Sequence, residues 1–151
     1  MIHVALYQPD IPQNTGNIAR TLAITGGTLH LIRPLGFNML DANLKRSGLD
    51  YWDYVKIILH DSYEDFLESV QLPIYLVTTK GDKLYSDIHY EEDVVFLFGS
   101  ESKGVPEHVH ERFKNNRITL PMRKVKGIRS LNLANTVCVL VFEAWRQRNF
   151  L

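Results

Sequence analysis

The sequence has few cysteines, no long apolar run and no recognisable leader. Its one cysteine, Cys138, cannot form a disulfide within the chain. No apolar stretch reaches the roughly 18 residues that a membrane-spanning helix needs, and the first residues lack the basic start of a signal peptide. We therefore expect a cytoplasmic protein that does not enter a membrane. With 151 residues, 45% of them apolar, we expect residues 1–151 to form a single domain.

Motifs of several common enzyme classes are also missing. The segment G-S-E-S-K-G-V-P from Gly99 lacks the order G-x-x-x-x-G-K-[ST], and no G-x-G-x-x-G follows a predicted strand. No G-x-S-x-G sequence marks a serine hydrolase. Of the six histidines only His108 and His110 are close, at a spacing that faces opposite sides of a helix, so we expect no metal site.

The net charge is zero, but the charges are unevenly distributed. Residues 1–111 contain 8 Lys or Arg against 16 Asp or Glu (net −8), and residues 112–151 contain 9 against 1 (net +8). No carboxylate lies between Arg112 and Arg129, as expected of a surface that binds a polyanion such as nucleic acid. The same cations could instead pair with the acidic first part of the chain, and charge alone does not separate the two interpretations.

Six short apolar runs predict strands, and helical patterns separate them. Several runs are apolar at consecutive positions, which is typical of parallel strands covered on both faces. We therefore predict an α/β domain with a mostly parallel sheet and helices on both faces. The predicted strands are 2–7, 29–33, 56–60, 74–79, 94–98 and 118–121. The predicted helices are 17–25, 41–47, one after a cap at Asp61 or Ser62, one from Pro106 to Phe113, and 130–148.

The predicted last helix carries apolar residues around most of its circumference. Such a helix needs burial on more than one side, which a partner subunit supplies most simply. We expect a homodimer that uses this helix, with a central helix in a monomer as the alternative.

Three segments combine turn-forming and polar residues directly after predicted strands, where open parallel sheets place their ligand sites. The first runs from Pro12 to Arg20, with residues 12–16 expected as a loop. The second is Phe98 to Gly104, whose glycines allow close approach of the backbone to a ligand. The third runs from Leu120 to Asn135 and contains Ser130, a natural helix cap.

Together these segments resemble the signature motifs of the SPOUT class of RNA methyltransferases, over nearly the whole chain. Within that class the chain resembles the small single-domain TrmL (YibK) type, which methylates the ribose 2'-hydroxyl of the tRNA wobble nucleotide. The segments that carry this likeness are L-Y-Q-P-D-I-P-Q-N-T-G-N-I-A-R from Leu6, L-K-R-S-G-L-D-Y from Leu44, T-T-K-G from Thr78 and F-E-A-W-R-Q from Phe142.

The resemblance implies a fold and a cofactor. It implies a sheet whose C-terminal part forms a deep trefoil knot, a homodimer, and S-adenosylmethionine bound in loops of the knot without a metal. The wobble cytidine or modified uridine of leucine tRNAs is the implied substrate. The cofactor-binding residues implied at matching positions are Val77, Gly99, Leu120, Met122 and Ser130.

The resemblance also places Arg20, Ser130 and Asn132 at the reacting centre. Because a guanidinium stays protonated in proteins, Arg20 is a poor base, and we expect it to hold the phosphate beside the target ribose and stabilise the developing alkoxide. Asn132 is expected to orient the ribose or brace the loop. Ser130 is expected to donate to a cofactor carboxylate or to cap the last helix.

The basic segment acquires a specific role under this interpretation. Contacts to tRNA phosphates are expected from Arg123, Lys124, Lys126 and Arg129. Phe142 stands where many relatives have tyrosine, so no contact through that hydroxyl is expected. Two other interpretations stay open: an RNA-binding module that uses residues 112–129 without catalysis, and a small-molecule α/β enzyme whose cations only pair internally.

Overall fold

The computed structural model describes residues 1–40 and 49–151, which form one parallel sheet covered by helices. The strands are β1 (Ile2–Tyr7), β2 (Thr28–Ile32), β3 (Lys56–His60), β4 (Ile74–Val77), β5 (Lys83–Leu84), β6 (Val94–Phe98) and β7 (Arg117–Thr119). The helices are α1 (Pro12–Thr25), α2 (Tyr63–Ser69), α3 (Glu107–Arg112) and α4 (Leu133–Gln147). Two 3₁₀ segments, Leu49–Tyr54 and Tyr85–Asp87, complete the described elements.

The seven strands lie in the order β3-β2-β1-β6-β4-β7-β5, and every pairing between described strands is parallel. All six predicted strands are present, with ends that differ by one or two residues. β7 lies between β4 and β5, although it follows both in the chain. This order is consistent with the implied knot, which itself stays a prediction.

Helices cover both faces of the sheet, as predicted. On one face, α1 and α4 bury Ile18 and Val137 against residues such as Val4 and Phe96. On the other face, Phe66 of α2 and Val109 of α3 pack on the alternate residues of the same strands. Because successive side chains of a strand point to opposite faces, consecutive apolar residues in β1 and β6 supply both cores.

Two helix boundaries differ from the prediction. Helix α1 begins at Pro12 and not at Asn17, because a proline is tolerated in the first helical turn, where no backbone N–H partner is needed. Helix α4 begins at Leu133, and its cap is Asn132 rather than Ser130: Asn132 Oδ1 accepts hydrogen bonds from the N–H groups of Ala134 and Asn135. Ser130 therefore stays in the exposed loop before the helix. The predicted helix 41–47 lies outside the described residues.

The strand order brings together the ends of four strands that carry the polar segments. β1, β6, β4 and β7 are neighbours, and because they are parallel their carboxyl ends meet at one edge. The chain that follows these strands contains the three segments selected from the sequence, the first of which lies in α1, and the T-T-K-G turn after β4. Among the described residues, no helix has the length and apolar character that crossing a membrane requires.

Candidate active site

A cavity of about 700 Å³ lies at the carboxyl ends of β4, β6 and β7. This is the position at which open parallel sheets bind their ligands, and the volume suits a cofactor-sized molecule. All five residues expected to bind a cofactor line it, together with the expected catalytic residue Asn132. The sequence-predicted residues in its wall are Val77, Gly99, Leu120, Met122, Arg129, Ser130 and Asn132.

A chain of hydrogen bonds joins the three polar segments on one side of the cavity. Asn132 Nδ2 donates to Asn14 Oδ1 at 3.0 Å, and Asn14 Nδ2 donates to Glu101 Oε2 at 3.1 Å. The Glu101 carboxylate also accepts from the backbone N–H groups of Asp10 and Ile11, at 3.0 and 2.8 Å. Asn14 is only 5% exposed, and its bonds to Asn132 and Glu101 are partly buried, so these bonds fix the segments relative to one another.

Asn14 and Glu101 were not identified from the sequence as site residues. Each lies inside a segment that the sequence selected, but a pairing between residues 87 positions apart leaves no local pattern. A second contact of the same kind links Ser102 to Asp10, whose carboxylate accepts the Ser102 backbone N–H at 3.2 Å. The loops after β1 and β6 are therefore bound to each other through two carboxylates.

Close backbone packing shapes the loop that contains Gly99. The backbone N–H of Ser100 donates to the carbonyl of Gly104 and the N–H of Gly104 donates to the carbonyl of Ser100, at 3.0 and 2.9 Å. A Cβ atom on Gly99 would lie 2.5 Å from the carbonyl carbon of Gly104, so only glycine fits without moving the loop. Gly99 therefore lets the chain fold back on itself at the edge of the cavity.

The cavity offers apolar walls beside these polar loops. Val77 and Leu120 are buried, at 8% and 6% exposure, and Met122 is 38% exposed. The backbone between Thr78 and Gly81 forms a tight turn in which the Gly81 N–H donates to the Thr78 carbonyl at 3.1 Å. A flat heterocycle needs such apolar surfaces next to backbone donors and acceptors, and it requires no charged signature in the sequence.

His110, on α3, is a further residue of the cavity wall that the sequence did not single out. It is buried, and its Nδ1 has no hydrogen-bond partner among the described residues. Burial lowers the pKa of His110, and the nearby Lys80 lowers it further, so the ring is neutral at pH 7. His108, by contrast, is exposed, and no group of three metal-ligating side chains occurs in residues 1–40 and 49–151.

The four cations expected to contact RNA lie in an exposed loop that also borders a second cavity of about 610 Å³. The loop is a short hairpin in which the Ile128 N–H donates to the Val125 carbonyl at 3.1 Å, with Gly127 at a φ of +83°. None of the four pairs with a carboxylate among the described residues. Pairing with the carboxylates that the structure describes therefore does not account for these cations, which are Arg123, Lys124, Lys126 and Arg129.

Arg20 is the predicted catalytic residue that the structure of one chain does not place in the cavity wall. It lies on the exposed face of α1, with its guanidinium carbon 4.9 Å from the centre of the Tyr51 ring. Ser130 and Asn132 do line the cavity. The predicted reacting centre is therefore only partly assembled within a single chain.

A parallel α/β sheet has a cofactor-sized cavity at its strand ends, bordered by a basic loop with no carboxylate partner among the described residues. These features are typical of the class of enzymes that bind a nucleotide-like cofactor and act on a polyanion. The particular family follows from comparison with known proteins. The SpoU rRNA Methylase family matches residues 1–142, and the chain belongs to this family. The predicted fold class and methyltransferase membership are thereby confirmed.

Relatives cover the chain almost completely. The tRNA (cytidine(34)-2'-O)-methyltransferase of Methylovorus glucosotrophus is 45% identical over 152 residues, which are 99% of this chain and 97% of that protein. The protein of the same name from Burkholderia ambifaria is 46% identical over 155 residues, with the same coverage.

Solved structures of RNA methyltransferases are also similar to this chain. A structure that concerns the 2-OH methylation of C/U34 on tRNA has a TM-score of 0.93 and 45% identity, covering 100% of this chain and 98% of its own. An AdoMet-bound rRNA methyltransferase from Sinorhizobium meliloti has a TM-score of 0.84 and 25% identity. It covers 96% of this chain and 56% of its own.

Proposed function

We propose that this chain transfers a methyl group from S-adenosylmethionine to the ribose 2'-hydroxyl of the wobble nucleotide, cytidine or modified uridine, in the anticodon loop of tRNA. One observation carries the proposal: the Asn132–Asn14–Glu101 hydrogen bonds join three distant segments into the wall of one cavity. The relatives that cover 99% of the chain, with their tRNA 2'-O-methyltransferase names, support the choice of substrate.

The residues present fit the proposed cofactor. The apolar surfaces of Val77, Leu120 and Met122 suit the adenine ring, and the cavity volume of about 700 Å³ accommodates the whole molecule. Gly99 keeps the neighbouring loop close to its own backbone, and Ser130 offers a hydroxyl to a carboxylate of the ligand. S-adenosylmethionine supplies a methyl group on a sulfonium, and we assign no metal to the reaction.

The residues of the chain then align and polarise the attacking hydroxyl. The ribose oxygen must lie in line with the methyl carbon and the sulfur, and it loses its proton as the new bond forms. Asn132 is fixed by its bonds to α4 and Asn14, so it can brace the wall beside the ribose. Arg20 holds the adjacent phosphate and stabilises the developing alkoxide, while the phosphate or a water molecule receives the proton.

A homodimer through α4 is part of this proposal. The exposed face of α4 includes Val139 and Phe142, at 36% and 40% exposure, so apolar surface stays uncovered in one chain. Helix α1 packs along α4, and the dimer would therefore bring the exposed face of α1, which carries Arg20, close to the interface. This arrangement would bring Arg20 towards a reacting centre that a single chain leaves incomplete. Residues 1–151 act as one cytoplasmic domain in this proposal.

The deciding experiment follows an isotope-labelled methyl group from the cofactor to the nucleotide. The purified chain is incubated with tRNA from cells that lack this modification and with S-adenosylmethionine carrying a deuterated methyl group, and nuclease fragments are measured by mass spectrometry. We expect one deuterated 2'-O-methyl group at the wobble nucleotide, with leucine tRNAs among the products. Binding of tRNA without any transfer of label would instead support the non-catalytic RNA-binding module.

The clamp role of Arg20 has its own test. Arg20→Lys keeps the charge but loses the planar pair of N–H donors, so the methylation rate at saturating tRNA should fall at least tenfold if the clamp is bidentate. Arg33→Lys is a matched control, because Arg33 is also exposed and pairs with Asp61 on another part of the surface. A lysine variant at position 20 that keeps most of the rate would show that no bidentate clamp is needed.

A further inference from the structure

The 3₁₀ segment Leu49–Tyr54 presents an aromatic ring to Arg20. The guanidinium carbon of Arg20 lies 4.9 Å from the centre of the Tyr51 ring, which is the geometry of a cation–π contact. The segment packs on α1, and Trp52 of the same segment packs against the hydrophobic core. These contacts hold the segment that carries Tyr51 against the domain. Tyr51 closes the L-K-R-S-G-L-D-Y segment, to which the proposed reaction assigns no role.

A stacked arginine differs chemically from an arginine in an ion pair. Arg33 shows the second case: its Nη1 donates to Asp61 Oδ1 at 2.7 Å, so a carboxylate occupies the donor edge and offsets the charge. A guanidinium that lies flat over an aromatic face has the N–H groups along its edge directed away from the ring. Those edge donors are the ones that bind a phosphate in a bidentate manner.

We propose that Tyr51 is a positioning residue that orients the Arg20 guanidinium so that its donor edge meets an RNA phosphate during methyl transfer. The inference rests on the proposed function, in which Arg20 is the phosphate clamp. The contact with the ring restricts the rotamers of a long exposed side chain, so less conformational entropy is lost when the guanidinium meets the phosphate in the transition state, and this lowers the barrier that kcat reports. Tyr51 does not touch the reacting atoms, and it acts only through Arg20.

The kinetic test compares ring-keeping and ring-removing variants. Tyr51→Leu should lower kcat for tRNA methylation about two- to fivefold, the range that an exposed cation–π contact supports, while Tyr51→Phe keeps most of the rate. The affinity for S-adenosylmethionine should not change in either variant. Tyr54→Leu is the matched control, because Tyr54 belongs to the same segment but is 75% exposed and makes no recorded contact with Arg20 among the described residues.

A double-mutant cycle separates positioning from a general structural effect. In an Arg20→Gln background, Tyr51→Leu should have no further effect on kcat, because the residue through which it acts is gone. An equal fall of kcat in both backgrounds would overturn the proposal, as would an unchanged kcat in Tyr51→Leu alone while Arg20→Gln is impaired. If the wild-type chain transfers no methyl group at all, the proposed function fails first, and the inference fails with it.

Nuclear magnetic resonance tests the contact without any reaction. Protons of a guanidinium that lies over a ring are shifted upfield by the ring current, so the Arg20 Hδ and Hε signals should move downfield in Tyr51→Leu and stay in Tyr51→Phe. Signals that are the same in all three proteins would show that the stacked arrangement is not populated in solution, and would overturn the proposal independently of activity.

Discussion

Asn132 has two structural roles that a single substitution can separate. Its Oδ1 caps α4, and its Nδ2 donates to Asn14. Asn132→Asp keeps the cap oxygen but loses the donor, so we expect stability close to wild type and a methylation rate at least tenfold lower. Asn132→Ala should lose about 1 kcal/mol of unfolding free energy as well, since it removes the cap. Urea unfolding and rate measurements check both variants, and full activity in Asn132→Asp would contradict the role of the Asn14 contact.

Three histidines form a row across β1, β2 and β3, away from the cavity, in which His30 and His60 are buried and His3 is partly buried. His3 Nδ1 and His30 Nε2 are 2.9 Å apart, as are His30 Nδ1 and His60 Nε2, and His30 is 2% exposed. Burial, followed by the neighbouring His3, His60 and Lys56, lowers the pKa of His30 to about 3. Burial also lowers the pKa of both His3 and His60. The neutral rings are therefore part of the folded state.

This row predicts a loss of stability in acid. Because the folded pKa of His30 lies below its unfolded value of 6.5, the unfolded chain binds more protons between these values, and stability falls as pH drops from 6.5 towards 3. For His30 alone, the free energy of unfolding should be about 2 kcal/mol lower at pH 5 than at pH 7. Urea unfolding at both pH values measures the difference. His30→Gln should reduce it and the exposed His108→Gln should not; equal reductions would refute the assignment.

At the residue scale, the sequence selected several members of the cavity wall, but it missed Asn14, Glu101 and His110 and the hydrogen bonds that join the segments. Val77, Gly99 and Leu120 follow strands, and parallel strands place such residues at one edge, so their convergence was predictable. The Asn14–Glu101 bond was not, because nothing local to either residue encodes its partner. The orientation of Arg20 towards Tyr51 likewise depends on tertiary packing.

At the scale of elements, periodicity predicted every strand longer than two residues. β5 was missed because Lys83 and Leu84 are both exposed and too few to form a pattern. The start of α1 was placed too late because Pro12 and Gly16 read as turn residues, although proline suits the first helical turn and Gly16 is buried there. The start of α4 was misplaced because Ser130 and Asn132 are both good capping residues, and the structure uses Asn132.

The side chain of Gln147 helps to anchor the C-terminal end of α4 to the segment before β6. Its Nε2 donates to the Ile88 carbonyl at 2.9 Å, and its Oε1 accepts the Tyr90 N–H at 3.0 Å. Gln147→Leu leaves both backbone groups without partners in a partly buried place, so we expect a loss of about 1 to 3 kcal/mol in unfolding free energy. Gln71→Leu is the control, because Gln71 is exposed and bonds only to carbonyls of its own helix end. Chemical denaturation measures both, and equal losses would contradict the anchor.

At the scale of the whole molecule, four cations of the basic part of the sequence lie together in one exposed loop. The basic loop borders both cavities, and its cations have no carboxylate partner within the described residues. Charge counting alone left internal pairing open, because pairing depends on which loops meet in three dimensions. The structure favours RNA contact, since each cation that binds a phosphate releases a counterion.

Salt dependence tests this surface. Arg123→Gln with Lys126→Gln should weaken tRNA binding and reduce the slope of log affinity against log salt by about 1 to 2. Arg33→Gln with Lys56→Gln removes the same charge from exposed positions outside the cavity walls and outside residues 112–129, and should leave the slope nearly unchanged. Filter binding between 50 and 200 mM salt gives the slope. A profile that is flat in the wild type would remove the loop from the RNA-binding surface.

The position of β7 also determines at which stage of its synthesis the protein can form the cavity. β7 is the last of the described strands to be synthesised, yet it lies between β4 and β5, and the segment that follows it supplies Leu120, Met122 and Ser130 to the cavity wall. A nascent chain that ends before Arg117 therefore carries most of the sheet but only part of the cavity. Synthesis must pass Thr136 before every residue that lines this cavity is present.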